Sequence, residues 1–435
     1  MRQEKSRAIS IDYLGGKDVM PITGYFGPYP HDYEHLPQYF TDEVFKLIAD
    51  SGINLMVYSA ADYASNPELV EKNLELGEKY GVGVFVTDNS IVEKKEQESL
   101  TVQEVKEQVE KYANRKAFCG MYVVDEPTST CYCDADGSRL IPKYERVAKI
   151  LQKDLNLPCY INLLPVLLIE DYQQKYEQYV NEFCDILQPK MVCWDYYPFD
   201  KYREGNMALY FYNMNVIREA ATKRGLPFWA FVQAGSQWND GWKKFDSETP
   251  YYPNELQFNW NVNTSLAFGA QGIQYFPLLQ PIQFTLTTTD EGDYERNGII
   301  GGMCNKTQWY YYAQTINKHI AAIDEVLMNS VHKGIIVSGE QAKKDMSMTT
   351  CVIETGVFEQ LKSVAGDTMI GCFNYQGKAA LYIVNYSFEY AQNISLEFDG
   401  AQNLKMIQNA KESEVTTDAL TLDMAAGEGI LIVIQ

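Results

Sequence analysis

Through the first three quarters of the chain, short apolar runs alternate with longer amphipathic stretches, the pattern of buried parallel strands joined by covering helices. Eight runs read as strands, over residues 20–26, 53–59, 83–87, 119–125, 159–163, 191–196, 227–232 and 272–276. Between them apolar positions recur at helical spacing over 41–51, 67–80, 102–115, 142–155, 207–224 and 253–268. Eight such repeats in about 300 residues match the usual size of a closed (β/α)8 barrel. A further helix over 307–326 closes it. From residue 331 the texture changes to short alternating runs, over 333–337, 369–375, 379–386, 393–398 and 429–434, punctuated by Gly, Asn and Asp. The pattern therefore predicts an α/β protein with a (β/α)8 TIM barrel over residues 1–328 and an all-β antiparallel sandwich over 329–435.

Composition narrows the classes of partner. The chain has 435 residues, 46% of them hydrophobic, enough for one large core and a smaller second one. A net charge of −21 without a dense basic face excludes nucleic acid and anionic membrane surfaces as expected partners. There is no run of 18 apolar residues, and residues 1–10 are polar, so neither a membrane span nor a signal core is expected. Nine scattered cysteines do not make a disulfide framework; they favour a reducing, cytoplasmic setting unless an export signal has been removed. Cys131 and Cys133 have no second pair at zinc-site spacing and read as free thiols, so no metal or other cofactor is expected. The four histidines, His31, His35, His319 and His332, stand beside no recognisable nucleophile, which sets Ser-His-Asp and Cys-His mechanisms aside.

The chemistry gathers where strands end, which in this fold is where the site is built. The run Phe118-Cys119-Gly120-Met121-Tyr122-Val123-Val124-Asp125-Glu126-Pro127 is an apolar strand that stops on two carboxylates and a proline. Strict alternation puts Tyr122, Val124 and Glu126 on one face and Val123 and Asp125 on the other, so one acid alone enters the mouth. Other strand ends carry Tyr25, Tyr58, Asp88, Asn162, then Trp194-Asp195-Tyr196-Tyr197, then Trp229 with Gln233, and Tyr275. Aromatic faces and amides of this kind suit a sugar ring and its hydroxyls.

This set resembles the clan A (β/α)8 glycoside hydrolases, particularly the β-galactosidase-like branch with a β-sandwich behind the barrel. The resemblance implies that Glu126, at the end of strand four and followed by Pro127, is the general acid/base of a glycosidase. Two positions depart from it. Asp125 stands where the family has an Asn that contacts the sugar 2-hydroxyl, and Gln233 is what the strand-seven region offers where the family has its nucleophilic Glu. An amide cannot form a glycosyl-enzyme ester, so the second carboxylate has to come from elsewhere.

Asp195 is the first choice for it, as base or nucleophile, because it ends an apolar strand that would face strand four across the mouth; Asp88 is the next. The candidate site is then Glu126 and Asp195 as catalytic groups. Tyr25, Tyr58, Asp88, Asp125, Asn162, Trp194, Tyr196, Trp229, Gln233 and Tyr275 are its sugar-binding groups, and the expected partner is an oligosaccharide or polysaccharide. Two rivals remain open: a non-catalytic glycan-binding protein on the same scaffold, favoured by Gln233, and a metal-assisted hydrolase using Asp88, Asp125, Glu126 and Asp195 as oxygen ligands. The acidic loop over 284–302 offers a wall for the pocket, and its Glu291 or Glu295 is a further candidate for the second carboxylate.

Overall fold

The computed structural model describes residues 19–57, 66–92, 100–127, 142–169, 172–199, 207–235, 252–281, 295, 297–358 and 360–435. Eight parallel strands close a barrel in sequence order: β1 (Ile22–Tyr25), β2 (Leu55–Val57), β3 (Gly83–Val86), β4 (Phe118–Asp125), β5 (Cys159–Leu163), β6 (Val192–Trp194), β7 (Phe228–Gln233) and β8 (Ile273–Phe276), which returns to pair with β1. Most of these strands are shorter than the apolar runs that announce them. Met20 and Ile53, for example, are buried without belonging to a strand. A strand covered on both faces reads as continuously apolar, and that signal runs past the last ladder hydrogen bond.

Around the barrel lie α1 (Asp42–Asp50), α2 (Pro67–Tyr80), α3 (Asn89–Val92), α4 (Val102–Val109), α5 (Pro142–Lys149), α6 (Tyr172–Leu187), α7 (Met207–Lys223), α8 (Glu255–Ala267) and α9 (Gln308–Met328). Their starts are set by local chemistry. Thr101 and Glu104 form a reciprocal capping box on α4, and Asn254 and Gln257 do the same on α8. The predicted helix over 142–155 divides into α5 and a π-helical turn, Ile150–Asp154. Helix α8 is buried nearly all round, with Phe258, Trp260, Val262 and Leu266 beside Asn261, Asn263 and Thr264. A helix without a polar face belongs inside a structure, and α8 is clasped between barrel and C-terminal domain.

That domain is one antiparallel sheet folded on itself. Its strands are β9 (Ser330–Ser338), β10 (Leu361–Ala365), β11 (Thr368–Tyr375), β12 (Lys378–Asn385), β13 (Gln392–Gln408), β14 (Lys411–Met424) and β15 (Gly429–Ile434), in the order β10-β13-β15-β12-β11-β9 with β14 on β13. The β13–β14 ladder breaks register between Glu397 and Gln402. Before the break β13 pairs with β10, and after it with β15, so the hairpin turns the corner between two layers. Alternation on β12 then serves two cores. Leu381 and Ile383 face the interior of the sandwich, whereas Ala380, Tyr382 and Val384 join the barrel core under α8. Contact there is close enough to demand glycine: a Cβ on Gly371 would lie 2.3 Å from the Ala267 carbonyl oxygen.

Candidate active site

Strand β4 is irregular, and its irregularity builds the site. Tyr122 lies opposite Tyr160 of β5 and Asp125 opposite Asn162, so three steps along β4 match two along β5, with Val123 as the extra residue. Below it Gly120 takes a φ of 141°, where a Cβ would stand 2.4 Å from the Pro158 carbonyl oxygen. The bulge resets the alternation, and Tyr122 and Asp125 end on the same, axial side. Glu126 then leaves the strand with φ of 45°, a left-handed conformation that side chains rarely adopt, while its N–H donates to the Asn162 carbonyl at 2.9 Å. Its carboxyl hydrogen-bonds that of Asp195, just past β6. The expectation that one acid alone enters the mouth is thus overturned: the bulge and the left-handed turn deliver both.

Asn162 holds the cluster together. Its amide nitrogen lies 3.1 Å from Asp125 Oδ1 and 3.0 Å from Asp195 Oδ1. Its amide oxygen, also buried, has no hydrogen-bond partner among the described residues. Aromatic rings wall the chamber. Tyr25 meets Phe231 edge-on at 5.2 Å and approaches Tyr160 and Phe276 at 6.0 Å. Tyr197 packs on Phe276 at 5.5 Å, and the Tyr25 and Tyr122 hydroxyls stand 3.4 Å apart. One layer down, Tyr160 donates to Gln274 Oε1 across the barrel at 2.6 Å.

Three carboxyls in one chamber cannot all ionise freely. Burial, then the charge of Asp125, raises Glu126 to about 7, against the pull of its bond to Asp195. Burial raises Asp195 well above the carboxylate range, reinforced by the charges of Glu126 and Asp125. Burial also raises Asp125, but the Tyr25 hydroxyl and the Asn162 amide pull it back. Its surface is nevertheless exposed. The burial that shifts it is therefore depth within the protein, and the exposure is an opening onto the mouth. Tyr197 is raised by burial and by all three acids, and its hydroxyl bonds Asp195.

Several expected sugar contacts point elsewhere. Trp194 and Tyr196 flank the inward Asp195 and so alternate outward, packing on Tyr210 of α7 at 6.0 and 5.4 Å. Tyr275 alternates outward between Gln274 and Phe276, stacks on Phe258 and donates to Asn317 Oδ1 at 2.6 Å. Trp229 is buried against Phe85 at 6.5 Å and against Gly272, part of the packed barrel interior. Asp88 caps α3, accepting from the Ser90 N–H and hydroxyl at 2.9 and 2.6 Å and from the Tyr112 hydroxyl. Gln233 clamps backbone: its amide oxygen accepts from the Phe199 N–H at 3.1 Å, and its amide nitrogen donates to the Phe199 and Gly235 carbonyls. Tyr58, Glu291 and the Cys131–Cys133 segment lie outside the described residues, and Glu295 is exposed.

Tyr25, Asp125, Glu126, Asn162 and Asp195 are thus brought together, and Tyr122, Tyr160, Tyr197, Phe231 and Phe276 join them without having been singled out. Period two contained the signal, since Tyr197 and Phe276 are the inward mates of Asp195 and Gln274. Among the described residues, no group of three or more His, Cys, Asp or Glu side chains is arranged to hold a metal ion.

No protein-family model matches the sequence, and no curated protein matches it. Solved structures do. A β-galactosidase from Bacillus circulans sp. alkalophilus superposes with a TM-score of 0.62 over 96% of this chain and 99% of that one, at 9% identity. A β-galactosidase from the psychrophilic Marinomonas ef1 gives a TM-score of 0.51 over 76% of this chain and 65% of that one, at 11% identity. At such identities the likeness is one of fold: the chain shares with them a closed (β/α)8 barrel followed by an antiparallel β-sandwich.

Proposed function

We propose that the protein is a glycoside hydrolase that cleaves an O-glycosidic bond in an oligosaccharide or glycan, with Glu126 as general acid and Asp195 as its partner carboxyl. The observation that carries the reading is the meeting of Glu126 and Asp195, with Asp125 beside them, at the end of β4 and β6. A carboxyl raised to about 7 at the C-terminal mouth of the barrel holds a proton near neutrality and can give it to a departing sugar oxygen. Its hydrogen bond to Asp195 puts the two acids closer than the roughly 5–9.5 Å between the paired carboxyls of glycosidases. Substrate entering the mouth would part them, freeing the Glu126 proton. The aromatic walls offer apolar faces to a pyranose ring.

The test is a panel of aryl glycosides and oligosaccharides, beginning with β-galactosides, followed by real-time NMR of the anomeric protons. Cleavage is expected, with Glu126→Gln losing about 10²- to 10⁴-fold on substrates with poor leaving groups. A second reading, a glycan-binding protein without turnover, draws on Gln233: its amide is spent on the Phe199 backbone, and β7 brings no carboxylate to the mouth. Glycan-induced shifts without cleavage across the panel would establish it over the enzyme.

A further inference from the structure

We infer that Asp125 is the nucleophile of a retaining mechanism, and that Asp195 is a positioning residue that holds a proton with Glu126. The inference rests on the glycosidase reading above and differs from it in which carboxylate attacks. Three observations converge. The bulge at Val123 turns Asp125 toward the barrel axis, in register with Asn162, and its surface opens to solvent at the mouth. Asp195, by contrast, is buried beneath and engaged by Asn162, Glu126 and Tyr197.

The third observation is the proton count. Two carboxyls joined by a hydrogen bond need a proton between them, so the Glu126–Asp195 pair keeps one. Asp125 has the Asn162 amide as a donor and the Tyr25 hydroxyl beside it, two contacts that favour its anion against the burial that raises it.

The chemistry then balances. An Asp125 carboxylate oxygen bonds to the anomeric carbon as the bond from that carbon to the leaving oxygen breaks, and the leaving oxygen takes the proton of Glu126. Water next attacks the anomeric carbon and yields a proton to the Glu126 carboxylate. The ester bond breaks, and the Asp125 carboxylate is restored with the anomeric configuration retained.

The experiment uses the full chain and 2,4-dinitrophenyl glycosides, with the β-D-galactoside first. On a sugar that the wild type cleaves, three results are expected. The first-formed anomer is the retained one, and the matching 2-deoxy-2-fluoro dinitrophenyl glycoside labels Asp125 in the peptide mass map. Asp125→Asn loses about 10⁴-fold or more, the scale of removing a covalent nucleophile, whatever the leaving group. Glu126→Gln loses far less on the dinitrophenyl glycoside than on an alkyl glycoside, because a good leaving group needs little acid. Asp195→Asn shifts the pH–rate limb of Glu126 rather than removing the label. Asp125→Gly guards against a merely misfolded variant: azide restores turnover and yields a glycosyl azide of inverted configuration. An inverted first product, a label on Asp195 or Glu126, or Asp125→Asn within about tenfold of wild type overturns the assignment while leaving the glycosidase reading intact. A wild type that cleaves nothing in the panel removes both.

Discussion

The mouth of the barrel and the seam between the barrel and the C-terminal domain both bury many polar groups, and they treat them in opposite ways. At the seam the groups are paired. Trp260 Nε1 donates to the Tyr386 carbonyl at 2.7 Å, Asn263 donates to the Gly427 carbonyl at 2.7 Å, and the Tyr382 hydroxyl donates to Asn263 Oδ1 at 2.6 Å. At the mouth three carboxyls crowd one another, the Asn162 oxygen stands unpaired, and Glu126 is held left-handed. Satisfied polar groups fix one docking geometry, whereas unsatisfied like charges store free energy in their protonation states. The seam orders the molecule, and the mouth is where its polar groups are left in tension.

The largest break in that comparison is chemical. Glu126→Gln should remove about 10²- to 10⁴-fold of activity on unactivated glycosides and abolish the pH–rate limb near 7, with little change in unfolding midpoint at acid pH. Trp260→Ala should do the reverse. Its indole is buried among Phe199, Phe211, Tyr386 and Phe388, and truncation should cost about 3–5 kcal/mol in denaturant unfolding. The surviving folded fraction should keep the wild-type pH–rate limb. A limb that moved in Trp260→Ala would mean that seam and mouth are one coupled unit.

Acid pH sharpens the contrast. Arg218 Nε donates to His332 Nδ1 at 2.9 Å, which leaves the other ring nitrogen as the donor to the Ala267 carbonyl, also at 2.9 Å. Burial, and then the Arg218 charge, lower His332 from 6.5 to about 3, so the folded state wants the ring neutral. The stability it contributes is present above about 6.5 and is lost as pH falls toward 3, reaching about 3 kcal/mol by pH 4. Unfolding of His332→Asn compared with wild type between pH 7 and 4 checks this: the variant should be the flatter of the two, and parallel curves would dismiss the pin.

Glu126 has the opposite sign. Its folded value of about 7 lies above the ordinary 4.5, so the folded state keeps the proton longer than the unfolded chain does. Stability falls as pH rises from about 4.5 and levels off above 7, a loss of about 2 kcal/mol after allowing for partial exposure. Glu126→Gln should therefore be more stable than wild type at pH 8, with the gap closing toward pH 4.5.

Much of this was legible in the sequence, and the limits follow physical lines. The barrel strands announce themselves because each is buried on both faces, and β14 does not, because most of its residues are exposed or half-buried. Strand four and its acids are evident from an apolar run that ends at Pro127. Their arrangement is not, because it depends on Val123 being skipped by the β5 ladder and on Glu126 turning left-handed. Tryptophan attracts a sugar-platform reading wherever it meets a strand end, yet Trp194 and Trp229 belong to packing, for the alternation that points Asp195 inward points Trp194 out.

The smallest expected effect tests that last point. Trp194 is fully buried against Tyr210, and its Nε1 has no hydrogen-bond partner among the described residues, so its indole N–H already bears the cost of burial. Trp194→Phe deletes that N–H and some volume while keeping an aromatic ring, and should change stability by less than about 1.5 kcal/mol. KM for any cleaved glycoside should not move. Tyr197→Phe removes a hydroxyl bonded to Asp195 while leaving the ring on Phe276, and should shift the pH–rate limb of Glu126. If Trp194→Phe raised KM several-fold while Tyr197→Phe left the limb in place, the inward and outward faces of this strand end would have to be exchanged.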